Sequence, residues 1–172
     1  MIAGLSAGGA MAMVMGATYP ELYQSIGVHS GLPYKSASDI PSALSTMAGN
    51  QRFIDTRAGS FPRTIIFHGS DDKTVKSHNA SNLWRQALGG QKLDEVQVEQ
   101  FVSGSRIVRR QIRRDADQRS SAELWMIEGA GHCWSGGNTL GSYADSEGPN
   151  ASEEMIRFLL RKPTNNEVGF FE

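Results

Sequence analysis

Gly4-Leu5-Ser6-Ala7-Gly8 restricts this chain more tightly than any other stretch, because it stands between a short apolar run, Met1-Ile2-Ala3, and a helix-forming run over residues 10–18. Strand, sharp turn and helix follow from that order. In such an elbow the serine occupies a strained turn, and flanking glycines are expected where a Cβ would meet the neighbouring backbone. The turn lifts the serine Oγ clear of the chain, and the next amide, that of Ala7, lies at a helix N-terminus where negative charge is favoured. Ser6 is therefore the first candidate nucleophile and the Ala7 N–H the first candidate oxyanion donor. A G-x-S-x-G match alone is also what a flexible turn looks like, so the reading depends on a base and an acid further along the chain.

Residues 10–18 carry Met11, Val14 and Met15 among alanines with hardly a polar side chain, which predicts a helix buried over most of its surface. Ile26-Gly27-Val28 predicts a second parallel strand running into His29-Ser30-Gly31, completing a βαβ unit. Residues 34–61 predict an irregular excursion with one short helix over 40–47, Asp39 near its cap and Pro41 in its first turn. Residues 63–67, continuously apolar over Ile65-Ile66-Phe67, predict a strand covered on both faces, and it leads into His68-Gly69-Ser70-Asp71-Asp72-Lys73-Thr74-Val75. Acids at the carboxyl end of a buried parallel strand stand where open α/β sheets place their chemistry. Residues 77–88 predict an amphipathic helix with Leu83, Trp84, Ala87 and Leu88 inward, stopped by Gly89-Gly90.

Residues 96–102 and 107–114 predict two exposed strands around Ser103-Gly104-Ser105, with a polar turn over 115–121. The arginines at 106, 109, 110, 113 and 114 read as a solvated face, since Glu95, Glu99, Asp115 and Asp117 lie nearby and no aromatic residues interleave. Residues 124–128 predict another covered strand, opening into Gly129-Ala130-Gly131-His132-Cys133-Trp134-Ser135-Gly136-Gly137. Residues 150–160 close the domain as a helix with Glu153 and Glu154 in its first turn and Met155, Ile156 and Leu159 inward. Residues 1–161 thus read as one partial domain and 162–172 as a loose tail.

Several function classes fall away on composition. A net charge of −1 offers no electrostatic handle for nucleic acid or a membrane surface. No apolar run approaches the roughly 20 residues a bilayer span needs. The single Cys133 excludes an internal disulfide and a cysteine-based zinc site, and no signal peptide is visible.

Ser6, Asp72 and His132 each follow a predicted strand and occur in the order expected of α/β hydrolases. A serine hydroxyl is a poor nucleophile until a base within hydrogen-bond reach takes its proton, and imidazole can both accept and return one. A carboxylate on the other ring nitrogen fixes the tautomer and stabilises the imidazolium. His29, His68 and His78 read as structural.

Gly-Leu-Ser-Ala-Gly-Gly-Ala-Met at 4–11, His-Ser-Gly at 29–31, His-Gly-Ser-Asp-Asp-Lys-Thr-Val at 68–75, Gly-Ala-Gly-His-Cys-Trp-Ser-Gly-Gly at 129–137 and Gly-Pro-Asn-Ala-Ser at 148–152 resemble the polyhydroxybutyrate depolymerase family of esterases, itself similar to feruloyl and acetylxylan esterases. The His-Gly-x-x-Asp-x-x-Val motif selects Asp72 over Asp71. The resemblance implies an α/β-hydrolase fold, a mostly parallel sheet flanked by helices. It also implies a secreted, extracellular carboxylic ester hydrolase acting through an acyl-enzyme, with no cofactor and no metal. By analogy Trp134 lines the acyl pocket or serves as a packing residue, and Cys133 has no assigned function. The substrate would be an ester of a hydroxyalkanoate polymer or oligomer, a feruloylated sugar or a simple short-chain acid.

The resemblance covers the second half of the family domain, so the strands before the elbow and the loop carrying a second oxyanion donor are expected to be missing. Loss of one such donor typically costs about 2.7 to 4 kcal/mol. The elbow strand is then expected to form an open edge, which invites self-association or pairing with another chain. Three readings stay open at this point: a serine esterase, a catalytically silent fragment that needs a complementary half, and a ligand-binding module without turnover.

Overall fold

The computed structural model describes residues 1–50, 61–89 and 96–160. In chain order its elements are β1 (Ile2–Leu5), α1 (Ala7–Thr18), β2 (Ser25–His29), α2 (Ile40–Met47), β3 (Arg63–Gly69), α3 (His78–Leu88), β4 (Val96–Ser103), β5 (Arg106–Arg114), β6 (Ser120–Ile127), β7 (Trp134–Ser135), β8 (Ala144–Asp145) and α4 (Ala151–Leu159). Six strands form one sheet in the order β1-β2-β3-β6-β5-β4. Its first four strands pair in parallel, and β5 and β4 extend it as an antiparallel hairpin. This is the α/β-hydrolase arrangement of a mostly parallel sheet flanked by helices.

Alternation along β3 and β6 explains why the sheet is covered on both sides. Ile66 of β3 and Ala122 and Leu124 of β6 point into one core with Ala12 and Met13 of α1 and Leu83, Trp84 and Leu88 of α3. Ile65 and Phe67, with Trp125 and Ile127, point into the opposite core with Met155 and Phe158 of α4. A strand apolar at every position is what two covered faces require. One charge is built into the second core. Glu123 is buried, accepts from Trp125 Nε1–H at 3.0 Å and pairs with Arg157 of α4 at 2.6 Å. Burial pushes the Glu123 carboxyl up, but the Arg157 guanidinium and the Trp125 and Ser120 hydrogen bonds hold it below the usual carboxylate range.

Several expectations need correction. The helix expected to be buried over most of its surface buries only Gly9, Ala12, Met13 and Gly16 and leaves Met11 and Val14 exposed. The cause is strand order: among the described residues β1 is the edge of the sheet, and α1 lies chiefly on β1 and β2. On α4 the inward stripe is Ala151, Met155 and Phe158, at i, i+4 and i+7, which turns Ile156 out to solvent. Exposure fits β4, but β5 lies between β4 and β6 and buries Val108 and Ile112. Of the five arginines over 106–114, Arg110 pairs with Glu99 and Arg106 with Asp145, and Arg119 in the turn that follows pairs with Asp115 and Asp117. The helix over 40–47 forms as read, with a reciprocal cap between Asp39 and Ser42. Gly90, Glu95, part of the excursion and the tail over 162–172 lie outside the described residues.

Candidate active site

β1 ends at Leu5 and α1 begins at Ala7, so the whole reversal of direction falls on Ser6, whose φ of 55° and ψ of −119° are strained for a residue with a side chain. Conformations of this kind cost on the order of 1–3 kcal/mol and persist only where the surroundings over-determine them. Here the Ser6 N–H donates to the His29 carbonyl at 2.9 Å, and the Ser6 carbonyl accepts from the Ala10 N–H at 2.9 Å. Steric need falls on the first of the motif's two glycines and on the glycine that follows the second. A Cβ on Gly4 would lie 2.4 Å from the Gly8 carbonyl carbon, and one on Gly9 would lie 2.9 Å from the Gly4 carbonyl oxygen. Gly8 itself meets nothing within 4 Å, so its lack of a side chain is not a steric requirement of the turn. The amide of Ala7 opens the helix, where the first N–H groups have no intrahelical acceptor.

The turn after β3 separates the two neighbouring acids. Asp71 is exposed and its N–H donates to the Ala130 carbonyl at 2.9 Å. Asp72 is buried, with Oδ1 accepting the N–H groups of Thr74 at 2.9 Å and Val75 at 2.8 Å. Its Oδ2 lies 2.8 Å from His132 Nδ1. Burial pushes the Asp72 carboxyl up, yet the Val75 amide and the His132 hydrogen bond, helped by His68, hold it below its ordinary value. His68 Nε2–H donates to the Val75 carbonyl at 2.8 Å and braces the same turn, and burial pushes its pKa down.

His132 reaches this carboxylate because the loop after β6 folds down on the end of β3. A Cβ on Gly69 would lie 2.2 Å from the Ala130 carbonyl oxygen, so only glycine lets the two segments meet. The Gly129 N–H donates to Ser70 Oγ at 2.8 Å and completes the junction.

Ser6 and His132 line one cleft of about 380 Å³, together with Leu5, Thr74 and Tyr143. Among the described residues no hydrogen bond joins Ser6 Oγ to the imidazole, and in unliganded serine hydrolases such bonds are often long and tighten only with substrate. The structure therefore brings Asp72 to His132, and His132 to the cleft that holds Ser6. Trp134 is placed differently: it stacks on the His29 ring at 5.3 Å, donates Nε1–H to Ser152 Oγ at 3.1 Å and is not among the residues lining the cleft. Tyr143, which the sequence reading missed, lines it from a loop whose only sequence signal is an exposed aromatic among small residues. His78 opens α3 in solvent. Among the described residues no group of three or more His, Cys, Asp or Glu side chains is suited to a metal ion, and no helix is long and apolar enough to cross a membrane.

A family model described as "Putative esterase" matches residues 1–131. Among curated proteins, the chain is 29% identical over 144 residues to the poly(3-hydroxyalkanoate) depolymerase C of Paucimonas lemoignei, covering 76% of this chain and 34% of that one. It is 32% identical over 105 residues to the acetylxylan esterase A of Talaromyces purpureogenus, covering 51% of this chain and 28% of that one. Among solved structures, the PHB depolymerase from Penicillium funiculosum superposes with a TM-score of 0.65 at 17% identity, over 98% of this chain and 53% of that one. An acetyl xylan esterase from Aspergillus awamori gives 0.60 at 23% identity, over 76% and 53%. These superpositions establish the shared fold. The chain spans about a third of the length of the curated relatives and about half of the solved ones.

Proposed function

The chain belongs to the Esterase family, and from that premise we propose that it is a serine carboxylic ester hydrolase working through a covalent acyl-enzyme. Ser6 Oγ attacks the ester carbonyl while His132 Nε2 takes its proton, and Asp72 holds the ring with Nε2 bare and stabilises the imidazolium. The proton passes to the alcohol oxygen as the ester C–O bond breaks. Water, deprotonated by the same nitrogen, then attacks the acyl carbon and releases the acid and Ser6. The Ala7 N–H is the oxyanion donor of this reading. The observation that carries it is the Asp72–His132 pair at 2.8 Å, opening on the cleft that holds the strained Ser6.

Esters of short or 3-hydroxylated acyl groups are the substrate class, as the names of the depolymerase relatives suggest, and action outside the cell goes with it. The 32% identity to an acetylxylan esterase favours acetylated sugars as the second choice within the same chemistry. A reading from another class, a chain silent until a complementary half pairs with it, is favoured by the edge position of β1. Hydrolysis of p-nitrophenyl butyrate by the purified chain, beside Ser6→Ala, tests these together. Turnover that vanishes in Ser6→Ala supports the esterase. A folded, soluble chain with no turnover sinks that reading in favour of the silent one, and size-exclusion chromatography of the same sample reports whether copies pair.

A further inference from the structure

His29 closes β2, the strand between the one that carries Ser6 and the one that leads to Asp72, and it is buried to 1%. A buried histidine in such a place is ordinarily a packing residue. This one makes two bonds that run in opposite directions across the site. Its carbonyl accepts the Ser6 N–H at 2.9 Å, and its Nε2 lies 3.0 Å from the Ser135 backbone nitrogen, 106 residues further along the chain. We propose that His29 is a positioning residue that fixes the Ser6 elbow and the loop bearing His132 relative to each other. The inference rests on the serine-hydrolase reading of Ser6 and His132.

The hydrogen-bond chemistry admits only one tautomer. A backbone N–H can only donate, so His29 Nε2 must be the bare nitrogen and Nδ1 carries the proton. Nδ1–H then donates to Ser30 Oγ at 3.3 Å. Ser30 is itself held at a positive φ of 48°, with its N–H on the Phe67 carbonyl at 2.9 Å, which aims its hydroxyl back at the ring. The imidazole is stacked between Phe67, at 5.8 Å and 15° between planes, and Trp134, at 5.3 Å and 28°. Burial, with the neighbouring His68 and His132 rings, pushes its pKa down to about 3, against a smaller opposing pull from Asp72. The ring is therefore neutral near pH 7, which leaves its acceptor nitrogen free of a proton there.

Consider what this does to His132. Two residues before it, the Ala130 carbonyl is tied to the Asp71 amide, and three residues after it, Ser135 is tied to His29. Ser135 Oγ is further held on the Pro149 carbonyl at 2.8 Å. The loop is thus clamped at its entry to the turn that carries the acid and at its exit to the strand that braces the nucleophile. Phe at position 29 would keep the stack but leave a buried N–H without an acceptor. Gln would supply an oxygen near the Nε2 position but would not stack.

The experiment compares wild type, His29→Phe and His29→Gln by nitrogen-15 and proton NMR and by p-nitrophenyl butyrate kinetics. In wild type, the His29 signals should show Nδ1 protonated and Nε2 bare, without titration across the neutral range. His29→Phe should speed exchange of the Ser135 amide and broaden or erase the downfield His132 Nδ1–H signal. It should also lower kcat about 100-fold with KM little changed, the scale expected when a reacting group shifts by about 1 Å. His29→Gln should recover the Ser135 protection and most of kcat. A wild-type His29 with a proton on Nε2 overturns the proposal, whether or not either variant folds. So does a folded His29→Phe that keeps the His132 signal and the wild-type kcat. If wild type hydrolyses no ester while the NMR results are as expected, the esterase reading fails and the positioning role stands.

Discussion

Replacing Asp72 by Asn exchanges one oxygen for an amino group at a position where the surroundings dictate which way the amide faces. In the native turn Oδ1 accepts two backbone amides, Thr74 N–H at 2.9 Å and Val75 N–H at 2.8 Å, and Oδ2 lies 2.8 Å from His132 Nδ1. The two amides can only donate, so the Asn oxygen must stay with them and the amino group must face His132. Turning the amide over would give up two hydrogen bonds, each with a net worth of about 1 kcal/mol, and would press donor against donor. With an N–H group facing it, His132 Nδ1 must be the bare nitrogen, so Nε2 carries the proton and cannot take one from Ser6. A tautomer error of this kind costs serine hydrolases about 10⁴-fold in kcat, close to 5.4 kcal/mol on the barrier. Stability should change little, because both turn bonds are kept. Initial rates of p-nitrophenyl butyrate hydrolysis beside a thermal melt read both quantities. A variant that melts like wild type and retains turnover within about tenfold would refute the tautomer argument and with it the role of Asp72.

The elbow glycines should separate cleanly in a melt. Gly4→Ala should lose about 1–3 kcal/mol or fail to fold, because its Cβ would sit 2.4 Å from backbone. Gly8→Ala, whose Cβ meets nothing within 4 Å, should be neutral or gain about 0.5–1 kcal/mol of helix stability, and equal losses in both variants would refute the steric account. Arg157→Met should cost about 3 kcal/mol by urea unfolding, since it leaves the buried Glu123 carboxylate unpaired. It should also reverse a pH slope. In wild type the lowered Glu123 pKa contributes stability above the ordinary glutamate range that is lost as pH falls through the folded value, whereas in the variant burial raises that pKa and stability falls as pH rises.

How much of this was written locally in the sequence depends on where each partner lies along the chain. β3 and β6 are legible because a strand covered on both faces needs an unbroken apolar run, and residues 65–67 and 124–127 supply one each. Ser6, Asp72 and His132 were singled out because each stands in a short motif whose glycines or turn residues are set by its own neighbours. The exposed face of α1 follows from the edge position of β1 and not from the helix's own residues, whose apolar run reads as buried wherever the helix lies. Ile156 was misplaced for a related reason: an apolar residue next to Met155 looks inward in composition and faces outward once the stripe is fixed by Ala151 and Phe158. Trp134 and His29 carry no local signal for their roles, because what they do is done to each other and to Ser135 across more than a hundred residues.

Sheet geometry explains why such a contact is required. Neighbouring strands lie about 4.8 Å apart, so the ends of β1 and β3, with β2 between them, are about 10 Å apart. A serine at the first and a carboxylate at the second cannot touch. An imidazole can bridge part of that gap, but the loop that delivers it starts beyond β3, on β6, and must travel back over the ends of β3 and β2. Over β3 the path is open because Gly69 has no Cβ, and the Ala130 carbonyl occupies that space. Over β2 the path is fixed because His29 presents an acceptor to the Ser135 amide. A loop spanning two strand ends without a foothold on each would let His132 sample many orientations against Ser6, and effective molarity at the nucleophile falls with that freedom. On the proposed mechanism, with Gly69 and His29 fixing the loop at the two crossings, the chemistry would depend on these residues as well as on those nearest to it.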